Sequence, residues 1–439
     1  MWTAYADLGR TGGPKPTAAG AGTATAIPPS VEIAPPVPAA SAGRQMHPCG
    51  TADLRLAVVT DREGFECLEQ PWNELFDRAG RACQLFQSFD WLRHWANHYL
   101  DNSSRLSVVT GWRHGRLVLV WPLVATRSAG LTRLSWMGEP VSQYGDVLVE
   151  DGPARLDLLR CSWARVKMLA ADIIYLRKIR SDAAVSVLLP EMGAIRTSSS
   201  QAPYLDLASA PDFETYNQRY SGKRRSDRRR HLRRLKEAGP ITFEQHACGA
   251  AAQDLVSRAL QLKRAWLVQR GLIFPVLHDE SFEHFFRDVV AGHLSSPAAR
   301  ISAIRCNGEP IGVEISFSCK GDIFGVLISH DLKFERQGLG AVLAEFSIRT
   351  AHAAGYAKFD LLAPAEPYKM DWADRAIDLA DWAVPFSGAG ALYTRAWLGG
   401  ARGWAKKVAH GLPPWLGRML IAIFELLRTR PGAWRDVPR

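Results

Sequence analysis

The sequence predicts an α/β (α+β) protein of more than one domain, and three observations carry that prediction. Its 439 residues exceed what one hydrophobic core usually serves. Short alternating apolar runs, the pattern of half-buried strands, are interleaved with stretches of helical apolar spacing. The α/β order read over residues 51–210 then recurs beyond a Gly239-Pro240 stop.

Residues 1–50 are rich in Ala, Pro, Gly and Thr and lack the apolar stretch of an export signal, so a disordered extension is expected there. Folded patterning begins at Leu54, where Leu-Arg-Leu-Ala-Val-Val predicts a strand. A helix follows with Phe65, Leu68, Trp72, Leu75 and Phe76 on one face, then a second over 91–99. Residues 106–111 and 116–123 are apolar runs joined across Arg113, His114 and Gly115, a hairpin signal. Strands are predicted at 134–137, 146–149 and 172–176, the last two flanking a helix over 153–167. A helix over 212–219 leads into a run from Lys223 to Lys236 whose nine Lys and Arg residues ring the helix rather than form a stripe. Gly239-Pro240 ends it.

Beyond that stop Ile241, Phe243 and Gln245 alternate as a short strand. Leu255, Ala259, Leu262 and Trp266 mark one helical face, and Phe282, Phe285, Phe286, Val289 and Val290 mark another. Residues 301–305 and 311–317 are strands joined by Asn307-Gly308, and Lys320-Gly321 turns into a third over 323–329, an antiparallel meander. A loop over 331–337 opens onto Gly338-Leu339-Gly340 and a helix over 341–354 stopped by Gly355, with a strand over 358–362 after it. The expected organisation is an extension (1–50), a first domain (51–210), a basic connecting helix (211–240), a second domain (241–397) and a tail (398–439).

A composition of 47% hydrophobic and 22% charged residues fits a water-soluble globular protein. The net charge of +10 implies acidic partners without choosing among nucleic acid, anionic lipid and phosphorylated small molecules. The seven cysteines sit singly, without a C-x-x-C pair, which predicts free thiols and a reducing, cytoplasmic setting. No stretch approaches the roughly 18–20 apolar residues of a membrane span. No cluster of His, Cys and carboxylates has ligand spacing, so no metal is expected. The tail sets Trp415, Leu416, Met419, Leu420, Ile423, Phe424 and Leu427 among arginines, an amphipathic helix that either docks on protein or lies peripherally on a membrane. Nothing in the sequence fixes an oligomeric state.

The segment from Glu335 to Ala341 stands at the mouth of an apolar helix. Its glycines let the backbone approach a pyrophosphate, whose charge the amides of Gly338, Leu339, Gly340 and Ala341 and the helix dipole hold. Arg336 adds a fixed cation, and Gln337 belongs to the same turn. The plain alternative is a tight loop entering a helix. The antiparallel meander before it argues against a Rossmann site, which needs a parallel βαβ unit.

These residues resemble the acyl-CoA signature of the GNAT superfamily: Gln or Arg, two residues, Gly, one residue, then Gly or Ala. Here Glu335 takes the first position, with Arg336 one place late. Phe359-Asp360-Leu361-Leu362 and Glu366-Pro367-Tyr368-Lys369-Met370-Asp371-Trp372 resemble the D…YK signature of the CelD/BcsL-like acetyltransferases. That branch is associated with cellulose biosynthesis and related to the Fem-type peptidoglycan aminoacyl transferases. Phe86-Gln87-Ser88-Phe89-Asp90-Trp91, the stretch 138–146 with Ser142-Gln143-Tyr144, and the arginine-rich helix lie where the branch has similar residues. The similarity spans about residues 54–397. It implies two tandem GNAT-like domains, each a mixed, mostly antiparallel sheet flanked by helices, with acetyl-CoA or another acyl-CoA as co-substrate in the second. It also implies N- or O-acyl transfer to a sugar, polysaccharide or cell-envelope precursor, by direct attack in a ternary complex, the small-molecule or saccharide acceptor lying between the halves. Trp91, Tyr144, Asp146, Arg224, Arg225, Arg228 and Lys369 are the candidate acceptor contacts.

Acyl transfer needs a base for the nucleophile and donors for the oxyanion. Glu314 shares a strand face with Ser316, opposite Val313, Ile315 and Phe317, and reads as base or as a satisfied structural carboxylate. His330 ends the next strand near the expected acyl group, as base or as structural histidine. Asp360 either orders Tyr368 and Lys369 or caps a loop. Tyr368 either protonates the leaving thiolate or packs, and Lys369 suits a phosphate or substrate carboxylate. The basic helix admits a solvated connector, a phosphate site using bidentate Arg, or a nucleic-acid contact that no aromatic interleaving supports. Two other functions stay open: Fem-type transfer from aminoacyl-tRNA, and a non-catalytic GNAT-fold subunit binding an anionic polymer, which the off-pattern Glu335 motivates.

Overall fold

The computed structural model describes residues 53–401 except 129, 273 and 293–297. The extension 1–50 and the tail helix around 415–427 fall outside the described residues. Among the described residues fifteen strands run β1 Leu54–Val59, β2 Ser104–Leu106, β3 Val108–Arg113, β4 Arg116–Trp121, β5 Leu123–Ser128, β6 Leu131–Trp136, β7 Leu148–Val149, β8 Ile173–Arg180, β9 Ile195–Asp206, β10 Ile241–His246, β11 Ala298–Cys306, β12 Glu309–Cys319, β13 Asp322–His330, β14 Lys358–Asp360 and β15 Arg375–Pro385. The longer helices are α1 Glu69–Ala79, α2 Phe89–Tyr99, α3 Arg155–Val166, α4 Gly222–Glu237, α5 Ala250–Gln269, α6 Glu280–Val289 and α7 Leu339–Ala353.

Local chemistry sets the hairpins. His114-Gly115, Asn307-Gly308 and Lys320-Gly321 all hold positive φ, the geometry of the two-residue turn whose twist matches the flanking strands. The strand expected over 116–123 breaks at Pro122, which has no N–H for a ladder. There the chain changes sheets. β4 belongs to a four-stranded sheet, β1-β3-β4-β7, and β5 to an eleven-stranded one.

The large sheet has the order β10-β11-β12-β13-β14-β9-β15-β8-β6-β5-β2. Two like units flank its centre. In each, one strand pairs antiparallel with its predecessor and, after a crossover helix, parallel with its successor: β6, α3, β8 in the first half and β13, α7, β14 in the second. Between them the halves exchange strands. β9 of the first half pairs with β14 of the second, and β15 of the second pairs with β8 of the first and with β9. The sequence reading contained neither β9 nor β15. β9 is Ile-Arg-Thr-Ser-Ser-Ser-Gln at its start, half-buried at most on both faces, so it carries no apolar alternation.

A single aromatic core joins the halves. Trp91 of α2 is edge-on to Phe285 of α6 (5.0 Å) and to Phe317 of β12 (5.2 Å), and all three are fully buried. Edge-to-face pairs at this spacing add about 0.5–1.5 kcal/mol each beyond area burial. Cys67, Cys83, Cys248, Cys306 and Cys319 are free, but Cys161 is disulfide-bonded, so the free-thiol expectation fails there. No described helix is long and apolar enough to cross a membrane.

Candidate active site

β13 and β14 pair over three residues only, from Asp322↔Lys358 to Phe324↔Asp360. Beyond Phe324 they diverge, and a one-residue bulge at Val326 bends β13 further. The backbone of 325–330 therefore has β12 on one side and a cleft on the other. Gly325, Val326, Leu327 and Ile328 form one wall, Phe359, Leu361 and Leu362 the opposite one. Ala344 and Ile348 of α7 close one face of the sheet, Lys263 of α5 the other, and Tyr368, Lys369 and Trp372 form the end. The opening thus runs through the sheet. Its free room is about 60 Å³.

Glu314 projects into it from β12, on the face that α7 covers. It is 5% exposed, and its Oε2 has no hydrogen-bond partner. Gly325 makes room for it: a Cβ there would lie 3.2 Å from Oε1 and 3.0 Å from the Phe359 ring. Burial pushes the carboxyl up to about 7, against smaller opposing effects of the nearby Ser347 hydroxyl and Arg300. A carboxyl poised there can accept a proton from an attacking nucleophile near neutral pH.

Tyr368 is partly exposed at the mouth, and burial of its hydroxyl, with Glu366 and Glu314 nearby, keeps the phenol protonated. Lys369 is buried and its Nζ donates to Leu362 O at 2.8 Å. His330 lies beside the helix mouth, its Cε1 3.3 Å from where a Cβ on Gly340 would stand. Burial holds its ring neutral, aided by Lys263 and Arg270 against Glu335.

The helix at this mouth begins at Leu339, two residues before the expected start. Gly338 is its N-cap in the left-handed region (φ 73°), which explains the glycine. The first amides of the helix have no acceptor within it. The His231 ring of α4 rests on Gly338, so the basic helix borders the mouth. Leu339 points into the core, Arg336 is exposed, and Gln337 Oε1 is buried without a partner. The off-pattern Glu335 is ion-paired to Arg270, itself 4.0 Å over the Trp266 ring, so its charge is neutralised beside the amides.

Several expected contacts lie elsewhere. Trp91 is a core residue whose Nε1–H donates to Ser142 Oγ, so it offers no surface to an acceptor. Asp146 is buried and accepts from Gln84 and from the amides of Val147, Ala184 and Val185, a loop clamp. Asp360 does not order Tyr368. It accepts from the Tyr144 hydroxyl (2.8 Å to Oδ2), the Leu362 amide and Arg180, tying the halves together beneath the cleft. Tyr144 is thereby occupied. Arg224 pairs with Asp371 at the surface, and Arg225 is half-buried away from the cleft. Arg228 is buried between Tyr220 and Trp372 and pairs with Glu345, so it props the cleft wall instead of meeting a ligand. Lys263, Gln143 and Gly325, absent from the sequence reading as site residues, all line the cleft.

The first half opens at the same point but is filled. β6 and β8 pair only at Arg133 and Leu134 before diverging, and the chain from Met137 to Asp146 occupies the gap. Gly145 donates to Lys178 O at 3.3 Å, and the half-buried Lys178 Nζ donates to Ser142 O (2.8 Å) and Gln143 Oε1 (3.2 Å). Gly145 touches the Trp136 ring so closely that no side chain fits.

Residues 222–370 match the family described as acetyltransferase (GNAT) domain, a span from the basic helix to the Tyr368 turn. This stretch is a GNAT acetyltransferase domain, which makes the chain an acyltransferase. No curated protein sequence matches it. FemX, in a crystal structure, is 12% identical, with a TM-score of 0.53 over 75% of this chain and 98% of that one. L-PGS from Bacillus licheniformis is 13% identical (TM-score 0.45, 74% and 95% covered), and a tandem GNAT protein from the clavulanic acid biosynthesis pathway is 14% identical (0.44, 76% and 99%). At such identity the FemX likeness speaks for the fold. A GNAT domain uses an acyl-CoA co-substrate, and the matched span contains the diverging strand pair, the α7 mouth and Glu314.

Proposed function

We propose that the second half lays the arm of acetyl-CoA, or another short acyl-CoA, along the unpaired edge of β13, with its diphosphate at the amides of Leu339 and Gly340. The observation that carries this reading is the buried Glu314 carboxyl, with an unpartnered oxygen, at the floor of the opening between β13 and β14. An extended arm with amide groups satisfies the free strand edge as a neighbouring strand would. The about 60 Å³ of room suits a small acyl group, since one water needs roughly 10–15 Å³ on this measure.

Transfer is direct. The acceptor amine or hydroxyl attacks the thioester carbonyl carbon and passes its proton to the Glu314 carboxylate. The C–S bond breaks, and the leaving thiolate takes a proton from the Tyr368 hydroxyl, which regains one from the protonated Glu314. The resemblance of 359–372 to the CelD/BcsL-like branch supports a saccharide or cell-envelope acceptor, which reaches the cleft from the α5 side. Pairing of Glu335 with Arg270 speaks against the non-catalytic reading, because that position no longer repels a diphosphate.

Calorimetry with acetyl-CoA tests the proposal: micromolar binding that Gly325→Leu weakens strongly is expected, and no binding to the wild-type chain would overturn it.

A further inference from the structure

The transfer chemistry leaves two charged groups of the cleft unused. Lys263, from the middle of α5, is 4% exposed, with its ammonium 4.8 Å from the Trp266 ring. Lys369, a hundred residues on, is 6% exposed and gives one of its three protons to Leu362 O. Both line the cleft, and among the described residues neither makes an ion pair. Two buried ammonium groups are costly unless something compensates them. The attraction of Glu366 is the one favourable charge that both share, and burial still holds each down to about 8. They repel one another as well.

Their place in the cleft says what compensates them. Glu314 lies on the α7 face of the sheet, beside Ser347, whereas Lys263 lies on the α5 face. On the acyl-transfer reading, the diphosphate sits at the α7 mouth and the arm leading to the thioester is uncharged, so no anion of the carrier reaches the α5 side. We infer that Lys263 and Lys369 form a subsite for an anionic group on the acceptor, which makes that acceptor a carboxylate- or phosphate-bearing amine or alcohol. Lys369 contributes an ammonium anchored on Leu362 O and Lys263 a point charge on an aromatic platform, an arrangement that grips one anion between two elements. Gln143, entering from the first half beside them, adds an amide to the same wall. This inference rests on the proposed acyl transfer for its choice of acceptor over carrier, while the anion site itself can be read without it.

The test uses the full chain labelled with carbon-13 at the lysine ε position, with signals assigned from K263M and K369M. Both signals should titrate near 8 in the free protein, and acetate or inorganic phosphate at tens of millimolar should raise each midpoint by about half a unit or more. The half-buried Lys178 of the first half should not respond, because two of its three donors are held by Ser142 and Gln143. A response to acetate alone identifies a carboxylate, and a response to phosphate alone identifies a phosphate. In K369M the Lys263 response should weaken several-fold. If neither anion moves either signal, or if K369M leaves Lys263 responding in full, the subsite is refuted. Acetyl-CoA calorimetry on the same sample separates the two ideas: lysines that respond in a protein unable to bind acetyl-CoA would leave the anion site standing and remove the transferase reading.

Discussion

The two halves open their sheets at equivalent places and treat the opening oppositely. In the first, β6 and β8 part after Leu134 and the chain's own 137–146 segment fills the gap, its polar groups bonded to Lys178 and to the Gly145 amide contact. In the second, β13 and β14 part after Phe324, and none of the described residues follows into the gap. The lesson is about backbone satisfaction. A strand edge freed inside a protein must find partners, so an opening is either plugged by its own chain or completed by a ligand. One buried carboxyl marks the difference: Glu314 keeps an unpartnered oxygen, whereas Asp146 of the filled half accepts four hydrogen bonds.

The sharpest way to break the comparison is to silence the open half chemically. Glu314→Gln should lower kcat by about 100- to 1,000-fold in a thiol-release assay and erase a rise of rate through pH 7, with acetyl-CoA affinity little changed. Stability should respond too. The Glu314 carboxyl sits near 7 folded against an ordinary 4.5, so the folded state holds the proton longer. Stability is therefore greatest below about 4.5 and falls by roughly 3 kcal/mol as pH rises to 7. Urea midpoints of wild type and E314Q at pH 5 and pH 8 measure this, and equal losses in both proteins would exclude it.

Filling the open half should make it resemble the first. Gly325→Leu places atoms on Glu314 Oε1 and Phe359 and should weaken acetyl-CoA binding about 100-fold, or roughly 2.7 kcal/mol, with circular dichroism unchanged. Gly145→Ala in the filled half should do the reverse. It collides with Trp136, costs about 1–3 kcal/mol of stability, and leaves acetyl-CoA affinity alone. The smallest effect expected is at Arg336→Ala, an exposed cation beside the α7 mouth, at about three-fold in acetyl-CoA affinity and fading with salt.

Much of this contrast was out of reach of the sequence. The three hairpins were legible because His114-Gly115, Asn307-Gly308 and Lys320-Gly321 carry their turn chemistry locally. Glu314 and Tyr368 were legible as cleft candidates through strand alternation and a short motif, although neither showed which groups surround them. Trp91 and Asp146 turn out to be structural, and of the two readings of Asp360 the loop cap is the one its Leu362 bond fits, because a buried structural polar group and a ligand contact look alike until partners are known. Lys263 was hidden inside an ordinary amphipathic helix, where a lone lysine reads as surface.

By itself, the sequence determined the α/β order, the turns, the glycine at the α7 cap and the residue types available for acyl transfer. Those are local matters, fixed by φ preference and apolar period. Only the tertiary structure decided that β9 and β15 cross between the halves, that Asp360 binds Tyr144 instead of Tyr368, and that one opening is plugged while the other faces Lys263, Glu314 and Lys369. The physical reason is that burial, pairing and desolvation depend on what approaches from distant parts of the chain, and no local pattern encodes that approach.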